Sequence, residues 1–463
     1  MNRLVRYRRA VRMARLVRFA RIAGPIAASW LAAALAAAAI AVPEARAASL
    51  DPLPGDVALA RYLEAVEQTS NDLAAQREAV TSARAGIAIA GLRPDPTLSL
   101  GAGPVEFSRE VDPKPRLARS VGLSYTVETG GKRDRRLDVA RSQLRASEVA
   151  LDGVRRQASG DAAAAFIESC RSREALQRQE ASLRSLSEIV RVNEQRHRAG
   201  DLGGLELLQS RNERDQFLAT VVKARADAAA AMEGLSVPLG RRWREVFGDQ
   251  LPLCAFHDEP PPRDVDTLVT QALDARDDVL GARAALDAAR AAADLTRANR
   301  YVDPNISLSY GYTPRGRIGE AADGSPTAPS PRSNTLSLSL SVPIPVSRLA
   351  RGDLVQAESA VTQAMLGLRQ TELKAQADVR VTFMQVHAAF DNLARYRDAT
   401  LVDAERVLAG MRTSYQHGAA SLLELLSAQR AADDTYLAYL QARSDLAGAT
   451  VRLQLSVGRA PAP

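Results

Sequence analysis

The chain has 463 residues, a formal net charge of +7, 46% hydrophobic residues and only 4% aromatics. So few aromatics exclude a conventional thick core, and the abundant small side chains suit close helix-on-helix packing. Nine of the 61 basic residues (Arg3, Arg6, Arg8, Arg9, Arg12, Arg15, Arg18, Arg21, Arg46) but only one acid, Glu44, fall within residues 1–47. The rest of the chain is close to neutral, which removes the electrostatic case for binding nucleic acid.

Residues 1–47 read as a secretory signal peptide. Arginines precede the apolar run Ile22–Val42, and Ala45-Arg46-Ala47 fits the small-x-small cleavage pattern, so cleavage is expected after Ala47. Met13 is an alternative start. The apolar run is long enough for an uncleaved anchor, but it is mostly alanine and a cleavage site follows it. No comparable stretch comes later, so the mature chain is expected to have no transmembrane helix. That leaves a soluble exported protein or a β-structured outer-membrane one.

Residues 56–92 then read as a helix ended by Asp95-Pro96. Two period-two segments follow: Leu98, Leu100 and Ala102, then Val121, Leu123, Tyr125 and Val127, each alternating with small polar residues. The corner "VETGGKRDRR" (127–136) leads into a long helix. Its glycines Gly130 and Gly131 suit a sharp turn. The bases Lys132, Arg133, Arg135 and Arg136 either face the membrane leaflet or lumen entrance, or serve the corner structurally; the structural role is preferred. No proline occurs from Asp134 to Pro238, and Leu137, Leu144 and Leu151 recur at sevens with Ala140 and Val154, the spacing of a coiled-coil seam. Residues 134–199 as one helix would span roughly 100 Å. "GDLGGLELLQ" (200–209) breaks it, with Gly200 as the turn, Glu206 as an early charge of the returning helix and Leu207 and Leu208 as its packing.

The pattern then recurs, which defines two repeat halves, 48–240 and 264–463, joined by a linker at 241–263. A second helix covers 264–300, and Asp303-Pro304 repeats Asp95-Pro96 208 positions on. Strand patterns follow through Ile306, Leu308, Tyr310 and Tyr312, and through Leu336, Leu338, Leu340 and Val342. "PTAPSPRSN" (326–334) between them reads as a solvated loop. Leu354, Val361 and Leu368, with Ala357 and Ala364, repeat the heptads. "GAASLLELL" places Gly418 and Glu424 218 positions after Gly200 and Glu206. Strands with apolar and polar faces suit a barrel wall, but four strands cannot close one. Open edges are not tolerated in lipid, so several chains must share a barrel.

Enzyme chemistry finds little support. The four histidines (His197, His257, His387, His417) assemble no triad. "CAFHDE" (254–259) lacks the second ligand pair of a metal site, and no phosphate loop is present, so no catalytic residue, metal or cofactor is expected. Cys170 and Cys254 could pair in an oxidising compartment, although Cys170 on its helix also suits a buried small hydrophobe.

The signal peptide, the two helix–hairpin–long-helix halves and the repeated Gly…Glu-Leu-Leu breaks resemble the TolC-like outer-membrane efflux protein family. The resemblance covers nearly the whole mature chain. It implies a mainly α fold with a β-barrel portion: a homotrimer whose chains share one outer-membrane barrel, extended through the periplasm by an α-helical barrel. It also implies outer-membrane lipid as surroundings, and a periplasmic adaptor (membrane fusion) protein and an inner-membrane RND-type pump as partners. Gly200, Asp201, Glu206, Gly418 and Glu424 would be periplasmic tip residues that dock the adaptor. Arg196, Arg198 and Arg412, with Asp201, Glu206 and Glu424, are candidate gate groups, since charges around a narrow pore set ionic selectivity. The first tip departs from the family pattern by its two extra glycines, Gly203 and Gly204.

The corner residues Glu128, Gly130, Gly131, Lys132 and Arg133 look like the E-x-G-G-K-R motif of the cobalt-zinc-cadmium resistance branch. The expected function is thus a passive export duct of a tripartite pump for divalent heavy metals. The alternatives are multidrug efflux or type I secretion and, more remotely, a periplasmic adaptor or a structural coiled coil.

Overall fold

The computed structural model describes residues 56–461 apart from 106, 108–115, 257–259, 317, 321–323 and 350. The signal peptide expected at 1–47 lies outside the described residues, as do His257, Asp258 and Glu259 of the cysteine-histidine segment.

The alternating segments form β1 (Thr97–Gly103), β2 (Ala118–Thr126), β3 (Asn305–Thr313) and β6 (Ser333–Ser341). They make one antiparallel sheet in the order β1-β2-β3-β6, with the two halves meeting at β2 and β3. Its register lines up the two faces. Leu98, Leu123, Leu308 and Leu338 form one cross-strand row, and Leu100, Val121, Tyr310 and Leu336 the next. Ser99, Gly122, Ser309 and Ser337 form a row on the other face. Among the described residues nothing covers the apolar face, with Leu100 77% and Leu338 75% exposed. Among the described residues no helix is long and apolar enough to cross a membrane. The loop before β6 is not wholly irregular: a two-residue strand, β5 (Pro326–Thr327), pairs with β4 (Gly319–Glu320).

Each helix expected before a hairpin is in fact two. The first half has α1 (Leu59–Thr69) and α2 (Asn71–Ala90); the second has α7 (Val265–Ala275) and α8 (Asp277–Ala298). The joints, Ser70 and Arg276, are extended, with ψ of 128° and 130°. Neither joint is a glycine or proline, so the break is imposed by packing. A left-handed glycine sits against each: a Cβ on Gly240 would come within 2.9 Å of the Thr69 carbonyl, and one on Gly458 within 2.8 Å of Ala275.

The proline-free stretches give α3 (Lys132–Ala199), 68 residues in one helix, returning as α4 (Gly204–Gly234). Short helices α5 (Ser236–Leu239) and α6 (Trp243–Phe247) follow. In the second half α9 (Gly352–Arg395) passes through a π-turn at Tyr396–Thr400 into α10 (Leu401–Gln416), and α11 (Leu422–Ser456) returns. The π-turn has a cause legible in the numbering. Phe383 follows Phe166 by 217 positions, yet Gly418 follows Gly200 by 218. One inserted residue is taken up as a π-bulge, so the tip keeps its place. In α9 the heptad residues Leu354, Ala357, Val361, Ala364 and Leu368 are half-buried, and those between them are exposed.

The chain concentrates four of its few aromatics midway down the helices. Tyr62, Phe166, Trp243 and Phe247 pack with centroids 4.6–6.4 Å apart, and the Tyr62 hydroxyl donates to the Leu235 carbonyl at 2.8 Å. Close by in sequence, Cys170 and Cys254 form a disulfide that pins the linker to α3. Cys170 is therefore both fully buried and bonded, and Cys254 is committed to the disulfide rather than to a metal.

The disulfide closes an 84-residue loop, which by chain entropy stabilises by about 4 kcal/mol. Cys170→Ser with Cys254→Ser is expected to lower the unfolding midpoint of the helical circular-dichroism signal, and reductant to do the same to the parent. Unchanged midpoints in both would contradict this.

Candidate functional site: the hairpin tips and the strand–helix corner

Both long hairpins turn by the same local device. Gly200 (φ 86°) and Gly418 (φ 73°) are left-handed. The Gly200 N–H donates to the His197 carbonyl and the Asp201 N–H to that of Arg196; Gly418 and Ala419 donate likewise to Tyr415 and Ser414. This is the Schellman closure, which needs a residue without a Cβ at the left-handed position.

The tips differ in how the returning helix begins. Ser421 caps α11 with a full capping box: its hydroxyl accepts from the Glu424 N–H, and the Glu424 carboxylate accepts from the Ser421 N–H at 2.8 Å. Those bonds hold the Glu424 carboxyl below its ordinary range. Glu206 occupies the same third position of α4, but the cap there is Gly203, which has no side chain to answer it. Asp201 and Glu206 are exposed, without a side-chain partner among the described residues. Leu207 packs as expected, but Leu208 does not; it stands out, 63% exposed, beside Leu205 and Leu423 at 71% and 74%.

The three arginines expected at the gate part company. Arg196 lies over the Tyr415 ring at 5.7 Å, and the Tyr415 hydroxyl donates to Asn193 at 2.7 Å. Arg412 donates to Gln429 and Ser185 at 2.7 and 3.0 Å. Arg198 reaches only the Glu194 carbonyl of its own helix. Gln429 leads into a buried network that no sequence motif announces. Asp433, 3% exposed, accepts from Ser182, Gln429 and Arg178 at 2.6, 2.9 and 3.0 Å. A second ion pair, Arg430 with Glu213 at 2.7 Å, joins α11 to α4. Nothing in "QRAADDTYL" (429–437) marks Asp433 as buried and Asp434 as not, because a helix places successive residues on different faces.

At the other end of α3, the corner bases turn inward rather than toward a leaflet. Lys132 is buried; it donates to the Asp303 carboxylate at 2.5 Å and to the Tyr301 carbonyl at 2.7 Å. The Thr129 N–H gives Asp303 another bond at 2.8 Å. Arg136 pairs with Glu128, and Arg133 donates to the Gly91 carbonyl at the end of α2 at 2.8 Å. Only Arg135 points outward, near Asp138 and Asp294. A Cβ on Gly130 would lie 2.6 Å from the Tyr301 ring, whereas Gly131 is free of contacts and needs glycine for its left-handed φ of 68°. The second Asp-Pro is thus what the E-x-G-G-K-R corner grips. Among the described residues no group of acids, histidines or cysteines could hold a metal ion.

A family model described as "Outer membrane efflux protein" matches residues 62–241 and 268–459. Among solved structures, the CmeC outer membrane channel of Campylobacter jejuni is similar at 16% identity, over 86% of this chain and 85% of that one, with a TM-score of 0.69. The outer membrane protein VceC of Vibrio cholerae is similar at 18% identity over 87% and 97%, TM-score 0.69. CusC, a protein that forms a transmembrane channel, is similar at 19% identity over 89% and 96%, TM-score 0.70. No curated protein sequence matches the chain. The fold is that of these channels, a mainly helical chain with a small β portion.

The uncapped first tip generates a direct test. Gly203 has β-region dihedrals, and a Cβ added to it would meet no atom within 4 Å. Gly203→Ser should therefore complete a capping box with Glu206, stabilising the start of α4 by a few tenths of a kcal/mol. Slower hydrogen exchange over 204–208 is expected, and unchanged exchange would refute it. At the second tip the lowered carboxyl of Glu424 sets the sign with pH: its contribution is present above the ordinary carboxylate range and lost as pH falls through its own lower value. Relative to the intrinsic exchange rate at each pH, protection at 422–426 should fall on acidification in the parent and not in Glu424→Gln.

Proposed function

We infer the role of this chain from a plain premise: it belongs to the outer membrane efflux protein family. It is an outer-membrane channel protein, not an enzyme. What it carries and what it works with are the proposal. We propose a homotrimeric passive duct that an adaptor and an RND-type inner-membrane pump complete, exporting divalent heavy-metal cations.

One observation carries the assembly. The sheet has an apolar face and two unpaired edges, β1 and β6, a state that lipid does not accept. Three copies would supply twelve strands, enough to close a barrel. The helices point the same way. α3 is flanked by α2 and α4 of its own half and by α8 and α11 of the other, whereas the main contacts of α9 are with α7, α8 and α11, all of its own half. On its uncovered side α9 shows Val355, Leu366, Leu373 and Met384, all more than half exposed.

The tips are proposed as the docking ends, through the exposed leucines beside Gly200, Asp201 and Glu206, and beside Gly418 and Glu424. Arg196 and Arg412 are proposed as gate groups because each bridges two helices that would have to part; Arg198 has weaker support, since it reaches only its own helix. The metal cargo rests on the E-x-G-G-K-R corner alone. Its charges are used up in contacts within the chain, so the motif marks lineage, and selection of cargo falls to the pump.

A strain lacking this chain is expected to lose zinc, cobalt and cadmium tolerance by several fold and regain it on complementation. Unchanged metal tolerance with lowered drug tolerance would replace the cargo by drugs and leave the duct standing. Leu373→Asp on the open side of α9 should lower the trimer fraction in detergent by sedimentation.

A further inference from the structure

The duplication allows the seam between copies to be read from the junction inside one copy. β3 repeats β1 with an offset of 208, since Asn305 pairs with Ser341 as Thr97 pairs with Ser124. The same pairs put β6 217 positions after β2, the offset that Phe166 and Phe383 keep further along. Within the chain, β2 of the first half pairs with β3 of the second: Leu123 faces Leu308, Ser124 faces Ser307 and Tyr125 faces Ile306. Past the strand ends the pairing continues, with the Val127 N–H donating to the Pro304 carbonyl at 2.9 Å.

We propose that β6 pairs with β1 of a second copy in the register this junction dictates. Leu340 then faces Leu100 of the second copy, Ser341 faces its Ser99 and Val342 faces its Leu98, while the Ile344 N–H donates to the carbonyl of its Pro96. The inference rests on the oligomeric reading above and adds to it the register and the contact residues.

Three features of the chain fit. The two free edges place apolar against apolar and serine against serine or glycine in this register, and a one-residue slip would set the aliphatic residues against serine or glycine. The prolines fit as well. Ile344 stands where Val127 stands, so its N–H points into the seam. Pro343 and Pro345 stand where Thr126 and Glu128 stand, on the side away from the seam, where a donor would have no strand to meet. Proline is tolerated at an edge only where its missing N–H is not needed. Finally, the Asp-Pro repeat acquires a use on both sides. Asp303 is gripped by Lys132 and by the Thr129 N–H. Asp95, its counterpart, is exposed and has no partner among the described residues, and it falls beside the corresponding corner, 344–350, of the second copy. Leu349 occupies the place of Lys132. The seam between copies therefore lacks the buried lysine clamp of the internal junction.

Cysteine pairs test the register. Ser341→Cys with Ser99→Cys and Leu340→Cys with Leu100→Cys are adjacent pairs, so one of the two is a non-hydrogen-bonded pair with its side chains close. On non-reducing gels at least one is expected to shift the mature chain to dimer and trimer bands, reversibly with reductant. The slipped pairs, Ser339→Cys with Ser99→Cys and Leu338→Cys with Leu100→Cys, are expected to leave it monomeric. Stronger crosslinking by the slipped pairs would overturn the register. The mass of the parent in detergent, by sedimentation, separates the two levels. A trimer that neither in-register pair crosslinks refutes the seam and spares the trimer; a monomer refutes both.

Discussion

Everything in this chain answers to one constraint: a peptide group in hydrocarbon must have its hydrogen bond. Four strands satisfy their inner neighbours and leave two edges open, so the sheet is complete only as part of something larger. The same incompleteness runs down the helices, where α3 is enclosed on both flanks and α9 is not. One sheet edge, β6, and the uncovered flank of α9 belong to the second half, while the other edge, β1, belongs to the first, which is what a head-to-tail repeat produces when it stops after two units. A heterologous contact of this kind closes into a ring if the rotation permits, and closure is what removes the edges.

The duplication also explains why the two halves are not identical in chemistry. The junction inside the chain is fastened by charge: Lys132 to Asp303, and Arg156 to Asp277 and to the carbonyls of Ala275 and Gly458. The positions that repeat these on the open side hold aliphatic residues, Leu349 for Lys132 and the exposed Leu373 for Arg156. A buried charge needs its partner present at all times, which holds within a chain and fails for a copy awaiting its neighbours. Apolar residues can wait in water or detergent and still reward assembly by burial.

Much of the fold is legible in the sequence because it is written in short-range pattern. Period two gives the four strands within a few residues, the absence of proline gives the 68-residue helix, and the glycines give both tips. What stays hidden depends on partners distant in sequence. Ser70 and Arg276 carry no breaker signal; their joints exist because Gly240 and Gly458 press a backbone against them. The π-turn becomes visible only when two alignments of the halves disagree by one residue. Asp433 looks like its neighbour Asp434 until α3 brings Arg178 and Ser182 to it. The corner bases read as structural, but the acceptor of Lys132, the repeated Asp303, lies 171 residues away and gives no local sign.

The tips show how a duplicated frame is made unequal. Both use a left-handed glycine and the same third-position glutamate, so the turn itself is duplicated. Only the second has the serine that closes a capping box, while the buried network of Gln429 and Asp433 joins its returning helix to α3 of the first hairpin. The first begins its returning helix on two bare glycines with exposed leucines beside them. Glycine at a cap leaves the backbone free to choose its angle of entry, and that freedom is lost on ordering. Movement of the second tip must break its capping box, whereas the first starts its returning helix without one and is tied instead by His197 to the Leu202 carbonyl and by Arg211 to Glu194. If the tips dock and open as proposed, the capped second tip would be the latch and the glycine-capped first tip the contact that yields.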